Sequence, residues 1–301
     1  MGGAGIVSPI ALQCNRLDED GVAGKAWLMN TTEDLLRRIA AALEAQARTS
    51  GETDWLSAPA YVWNGAAHPV ERIDAPDLAL LRGIERQKHS VTSNVARLAA
   101  GHAAHDMLLW GSRGMGKSAL VRASVAAAQA DGGPIALVQV TTDALTTLSA
   151  LFQQLAKVER NFLVFIDDLG FAEGDSVGPR HLRSWLDGGV EARPANVRLA
   201  VTSNRRAIIV RHGSEQEDPL NPRDAVDDNL ALADRFGLSL GFHACSQDEF
   251  LDILRGYAAE YDLDLDEAEA LEWSKRRGSR SGRTAWHFIT ELAGRAGKCL
   301  G

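Results

Sequence analysis

The chain has 301 residues, 45% of them hydrophobic, enough to fill one large core or two ordinary ones. Its 40 Asp and Glu outnumber its 32 Lys and Arg, and the formal charge of −8 excludes whole-molecule attraction to phosphate backbones or anionic lipid, leaving only local basic patches. Cys14, Cys245 and Cys299 lie far apart without Cys-x-x-Cys spacing, so the expectation is reduced thiols in a cytoplasmic protein rather than a disulfide framework or a structural zinc site.

The opening "MGGAGIVSPIALQ" carries no basic region and is too short to span a bilayer, and Ile6 stands where a myristoylation signal has Ser or Thr. No membrane attachment is expected. In "NTTEDLLRRIAAALEAQAR", Thr31 and Asp34 form a helix start, followed by Leu35, Leu36, Ile39 and Leu43 at helical spacing. The next stretch, to about residue 77, is broken by Gly and Pro and reads as loop with a short strand at Tyr61 to Trp63. Residues 1–85 are therefore expected to form a small, mostly helical N-terminal extension.

From residue 86 to 245, short apolar runs alternate with helical periodicity, the pattern of a parallel sheet with crossover helices. The runs are "MLLW" (107–110), "IALVQV" (135–140), "FLVFID" (162–167), "RLAVTS" (198–203) and "LSLGF" (238–242). The fold class that follows is α/β, a parallel five-stranded sheet. From residue 246 to 301 strand signals cease and three helical segments follow, the pattern of a small helical domain.

"WGSRGMGKSAL" fits G-x-x-x-x-G-K-[ST] between an apolar strand and a helix, the setting a phosphate-binding P-loop needs. Glycines let the backbone curl so that amide N–H groups face a phosphate, and the helix N-terminus adds partial positive charge. Gly111, Ser112, Arg113, Gly114, Met115, Gly116, Lys117, Ser118 and Ala119 are accordingly the candidate ATP-binding residues. Lys117 is placed to reach the β- and γ-phosphates, and the Ser118 hydroxyl to ligate Mg²⁺.

Mg²⁺ is a hard cation that takes oxygen ligands, and "NFLVFIDDLGF" delivers two carboxylates at a strand end, the edge where parallel sheets bind ligands. Asp167 is the candidate metal partner. Asp168 is the candidate group for polarising water, in a place where hydrolytic P-loop enzymes usually carry the longer glutamate, which points to slow hydrolysis.

With these motifs the chain resembles an AAA+ ATPase. The resemblance implies a sensor Asn204 in "LAVTSNRR", followed by Arg205 and Arg206, an arginine finger Arg235 in "LADRFGLSL", and a second sensor Arg283 in "RSGRTAWHF", so that residues 246–301 become the lid of the family. The order is kept over residues 104–295, and the departure from the family's pattern is the long acidic linker "RHGSEQEDPLNPRDAVDDNLAL" between Asn204 and Arg235. The set "ERQK", "LLWGSRGMGKS", "IDDLGF", "TSNRR", "DRFGL" and "RSGRTA" further resembles a bacterial AAA+ family of unknown function. Arginine suits these roles because it stays protonated and offers a planar fork of donors to a γ-phosphate. An arginine finger implies a neighbouring subunit, hence a ring-like homo-oligomer. The plain alternative for Arg235 is an ordinary ion pair beside Asp234.

Other signals are weaker. "DLDLDEAEALE" begins like a calcium loop but has Glu267 where the turn glycine belongs, so a solvated helix start is expected. His102 and His105 have no third ligand nearby. The tryptophans are scattered, which favours packing over base stacking. "TTDALTTLSALFQQL" lacks the aromatic-Gly pore loop of peptide-threading AAA+ machines, and no helix-turn-helix is seen after the last helical segment.

The function expected is ATP hydrolysis coupled to remodelling of an unknown protein or nucleoprotein partner. The alternative is a nucleotide-switched binding module or loader with slow turnover. A third class, a small-molecule kinase closing an arginine-rich lid, has no need of Asn204 or Arg235. The basic stretch "WSKRRGSRSGRTAW" lies in a segment whose eight Lys and Arg are outnumbered by eleven Asp and Glu, unlike a nucleic-acid arm. Lys275, Arg276 and Arg277 read as a helix C-terminus, where cations are favoured. Arg283 begins the next helix, where the dipole disfavours a cation, and so asks for a phosphate, with Arg280 as the alternate candidate.

Overall fold

The computed structural model describes residues 53–170, 193–204 and 234–300, together with residues 37, 38 and 186. The chain divides into two units, Met1–Thr53 and Asp54–Gly301. The helix expected after Thr31 lies outside the described residues except for Arg37 and Arg38, which are helical.

The second unit is built on a seven-stranded sheet. Its strands are β1 (Ala60–Trp63), β2 (Ala67–Val70), β3 (Met107–Gly111), β4 (Ile135–Val140), β5 (Asn161–Ile166), β6 (Val197–Ser203) and β7 (Leu238–Phe242), in spatial order β2-β1-β4-β5-β6-β3-β7. The five strands read from the sequence run parallel to one another. Alternation along them explains why they read as unbroken apolar runs. On β5, Leu163 and Phe165 join one core layer while Phe162, Val164 and Ile166 join the other, so both faces are dry.

Two strands widen the sheet beyond the five expected. β1 pairs parallel to β4, with Ala60 opposite Leu137 and Trp63 opposite Val140, and β2 returns antiparallel to it. The strand at Tyr61 to Trp63 is thus a member of the main sheet, and the chain divides at residue 53 rather than near 85. Composition hid this, because the hairpin has only four residues per strand and sits among Gly and Pro. It is held by side chains instead. Trp55, Tyr61 and Trp63 are buried, with Trp55 and Tyr61 ring centroids 4.7 Å apart and Trp55 edge-on to Phe162 at 5.9 Å. Arg160 donates to the carbonyls of Trp55 (3.0 Å), Ala58 (2.7 Å) and Ile135 (3.0 Å), tying the added segment to the start of β4. At the outer edge, Pro69 of β2 has no N–H to offer a further strand.

Helices cover the sheet. α1 (Glu85–Ala99) and α2 (Lys117–Ala130) pack in one layer, and α3 (Leu148–Leu155) packs in the other. The C-terminal segment is α4 (Gln247–Glu260), α5 (Glu267–Arg276) and α6 (Gly282–Arg295), as periodicity indicated. Each start is capped: Ser246 and Glu249 form a reciprocal capping box on α4, Asp266 caps α5, and Ser281 caps α6. Asp266 therefore serves as the helix start expected for "DLDLDEAEALE". Phe250, Leu254, Phe288 and Ile289 are fully buried and share the core layer of α1 and α2.

Because the strands are parallel, the C-terminal ends of β3, β5 and β6 come to one edge. The registers set Ile166 beside Val201 and Trp110 beside Ser203. The residues that follow each strand are thereby neighbours, and these are Ser112 onward, Asp167 with Asp168, and Asn204.

Candidate functional site

The loop from Gly111 to Lys117 leaves β3 at this edge and enters α2. Gly111, Gly114 and Gly116 have φ of 123°, 74° and 84°, the left-handed region that glycine occupies without strain. Gly111 also has no room for a side chain, since a Cβ there would meet the Phe242 carbonyl oxygen at 2.0 Å. Ser112 N–H donates to the same carbonyl at 2.8 Å, fixing the loop to β7. Met115 is buried beneath it.

Lys117 is only 7% exposed, and its ammonium donates to the carbonyls of Gly111 and Ser112, both at 2.8 Å, and to Asn204 Oδ1 at 3.4 Å. Burial lowers its pKa below the ordinary 10.5; Asp168 and Asp167 pull it part of the way back, and Arg113 and Arg283 add repulsion. The next residue, Ser118, donates through Oγ to Asp167 Oδ1 at 2.5 Å. Asp167 Oδ1 also accepts from Thr202 Oγ1 at 2.6 Å, and that hydroxyl in turn accepts the Asp168 N–H at 2.8 Å.

Asp168 has φ of 51°, an uncommon conformation that the Thr202 contact helps to hold. Its carboxylate accepts a hydrogen bond from the Asn204 side-chain amide and lies 3.9 Å from Arg113. With both side chains more than half exposed, the Arg113 pair contributes little to stability.

These groups face a cavity of about 600 Å³. Arg113 to Ala119, Asp167, Asp168, Thr202, Asn204 and Arg283 all line it. Much of its remaining wall is apolar: Leu80, Leu81 and Ile84 from the segment before α1 line it with Ile253, Tyr257 and Trp286 from α4 and α6, and Arg82 is the charged residue among them. Tyr257 and Trp286 meet edge-on with centroids 5.2 Å apart. α6 is docked on the loop through its backbone, Arg283 N–H donating to Gly114 O at 3.1 Å.

Sequence reasoning did not single out Thr202, the hydroxyl that joins Asp167 to Asp168. Its signal was the polar pair Thr202 and Ser203 closing an otherwise apolar run just before Asn204. The apolar wall was also missed, because it is drawn from separate segments. Arg122 of α2 is another wall residue, with Asp74 at 3.9 Å. Arg235 is half-buried in the turn before β7 and does not line the cavity. Arg205 and Arg206 lie outside the described residues, as does the acidic linker that follows them.

A family model described as "Protein of unknown function (DUF815)" matches residues 56–296. The chain belongs to this family. The match includes β1 and β2, so the hairpin is within the family's span. Among solved structures, the Thermotoga maritima RuvB Holliday junction branch migration motor is similar, with a TM-score of 0.50 at 18% identity over 75% of this chain and 68% of that one. A point variant of the same motor gives a TM-score of 0.52 at 17% identity, over 75% and 68%. No curated protein matches. At this distance the likeness establishes the fold, which is the AAA+ type.

Proposed function

We propose that this DUF815 protein binds MgATP and hydrolyses it to remodel a protein or nucleoprotein partner. The observation that carries the reading is that Lys117 and the hydrogen-bonded line Ser118–Asp167–Thr202 border one cavity. Hydroxyl and carboxylate oxygens are the donors a hard cation takes, and few protein ligands suffice because Mg²⁺ keeps several waters. Ser118 and Asp167 are the residues that would hold it. When bound, the ion neutralises charge developing on the phosphates.

The chain's own residues supply the rest. Loop amides and the α2 N-terminus favour phosphate oxygens, and the Lys117 ammonium, now spent on two loop carbonyls, exchanges them for β- and γ-oxygens. The apolar wall between Ile84 and Trp286 suits a flat nucleobase. Arg283, at the start of α6 on the cavity rim, suits the γ-phosphate, and its backbone bond to Gly114 would let α6 respond to occupancy. Asn204 suits the orientation of a water or the γ-phosphate. Arg235, outside this cavity, suits a neighbouring subunit's site in a ring-like homo-oligomer.

A second reading, a nucleotide-switched module with slow turnover, is favoured by one feature. The Asp168 carboxylate is engaged by Asn204 and is a methylene shorter than glutamate, so polarising water requires that contact to open. Nucleotide titration and steady-state hydrolysis of the wild type, Lys117→Ala and Asp168→Asn test both readings. Lys117→Ala is expected to lose binding, and Asp168→Asn to keep binding and lose turnover. A wild type that neither binds nor hydrolyses ATP removes the proposal. Wild-type binding with unchanged turnover in Asp168→Asn removes Asp168 from it.

A further inference from the structure

A second cavity, of about 800 Å³, shares Arg113, Gly114 and Arg283 with the first and opens between the end of β7 and the α5–α6 turn. Its charge is one-sided. Arg113, Lys275, Arg277, Arg280 and Arg283 line it with His287, and no Asp or Glu does among the described residues. Nor does any described carboxylate form an ion pair with Lys275, Arg277, Arg280 or Arg283.

The surroundings hold this arrangement in place. α5 ends at Arg276, Gly278 turns the chain at φ of 67°, and Ser281 restarts it as the cap of α6. The turn brings the last cations of one helix to the first residues of the next. Arg277 is set over the Trp273 ring at 4.8 Å. Ser281 and Thr284 are buried, and the N-terminus of the 14-residue α6 adds its partial positive charge to the same space. In a chain of net charge −8, like charges gathered in one cleft repel one another until an anion enters.

The lining also says which anion. Guanidinium forks match phosphate oxygens in pairs, and one phosphate engages only part of five cations spread over the glycine loop, the end of α5 with the turn after it, and the start of α6. Among the described residues, Ala244 and Cys245 are the apolar lining of the cleft and His287 is its one ring for a base to stack on. We propose that this cleft binds a chain of phosphates, the backbone of a single-stranded nucleic acid or a polyphosphate, through its phosphate oxygens and without reading bases. The two halves of the basic stretch, a helix end and a helix start, are then two walls of one site.

The test uses the full chain saturated with MgADP, with a labelled single-stranded oligonucleotide, inorganic polyphosphate and an oligoglutamate peptide as probes. Both phosphate probes are expected to bind and compete; binding by only one of them supports the site and identifies its source. The double variant Lys275→Gln, Arg277→Gln is expected to weaken binding at least about tenfold and to reduce the salt slope for the oligonucleotide by about 1.4, at ~0.7 per lost contact. Its ADP titration should match the wild type, which establishes that it is folded. In Lys117→Ala without nucleotide, phosphate-chain binding should persist while ADP binding is lost, so failure of the nucleotide reading and of this one are distinguishable. Absence of binding by both phosphate probes, equal affinity for oligoglutamate, or wild-type affinity in the double variant overturns the inference.

Discussion

The Thr202 hydroxyl donates to the Asp167 carboxylate at 2.6 Å and accepts the Asp168 N–H at 2.8 Å, so one buried oxygen fixes the first carboxylate and the backbone that carries the second. Thr202→Val keeps the shape and removes both bonds. It leaves the Asp168 N–H without its partner, which is expected to cost about 1–3 kcal/mol in urea unfolding. Turnover of MgATP is expected to fall about tenfold, equivalent to ~1.4 kcal/mol in the barrier. Thr202→Ser retains the hydroxyl and should recover most of both. Equal stability and turnover in all three proteins would show that the hydroxyl positions nothing.

Lys117 makes the apo protein sensitive to alkaline pH in a defined direction. Its folded pKa is lowered below 10.5, chiefly by burial, so between that lowered value and 10.5 the unfolded chain binds more protons than the folded one. Stability from this group therefore rises with pH through that window, and below it the full cost of the buried charge remains. Lys117→Met should be more stable than the wild type at neutral pH and should lack this rise. Thermal unfolding across the alkaline range, without nucleotide, checks the difference. Nucleotide phosphates stabilise the ammonium, so binding within the window should take up a proton, measurable as a buffer-dependent heat.

Gly114 joins the loop to α6 at a place with no spare space. A Cβ there would lie 2.9 Å from Arg283 Cβ and 2.9 Å from Ser281 Oγ, on a backbone at φ of 74°. Gly114→Ala must therefore strain the loop or push α6 away, at a cost on the order of 1–3 kcal/mol. Weaker nucleotide affinity should accompany the lower melting temperature. Gly132→Ala is the control, since φ is 82° there and no atom of the described residues would lie within 4 Å of the new Cβ, so only the backbone strain is shared.

The parts of the site legible in the sequence are those fixed by local pattern. The glycine loop, the strand ending at Asp167 and the strand leading to Asn204 each follow from a contiguous run, and parallel pairing does the rest. What was not legible depends on contacts distant in sequence. β1 and β2 are short and owe their place to Arg160 reaching three carbonyls from more than one segment. The apolar wall combines Leu81 with Tyr257, and no periodicity links them. The basic stretch was separable into helix end and helix start, but only the turn at Gly278 shows that Lys275, Arg277 and Arg283 line one cleft.

Arg235 offers the sharpest test of assembly. It lies in the turn preceding β7, while the cavity holding Lys117 is lined by other residues of the same chain. If its guanidinium completes a neighbour's site, Arg235→Ala should lower turnover by about 10³–10⁵ and leave nucleotide affinity near the wild-type value. Lys117→Ala should lose nucleotide binding altogether. Mixing the two inactive variants places an intact Lys117 loop in some interfaces opposite an intact Arg235, so part of the activity should return. Recovery must depend on protein concentration, because it requires mixed oligomers. No recovery at any ratio, together with full activity of Arg235→Ala alone, would assign Arg235 to its local turn beside Asp234 and remove the finger from the mechanism.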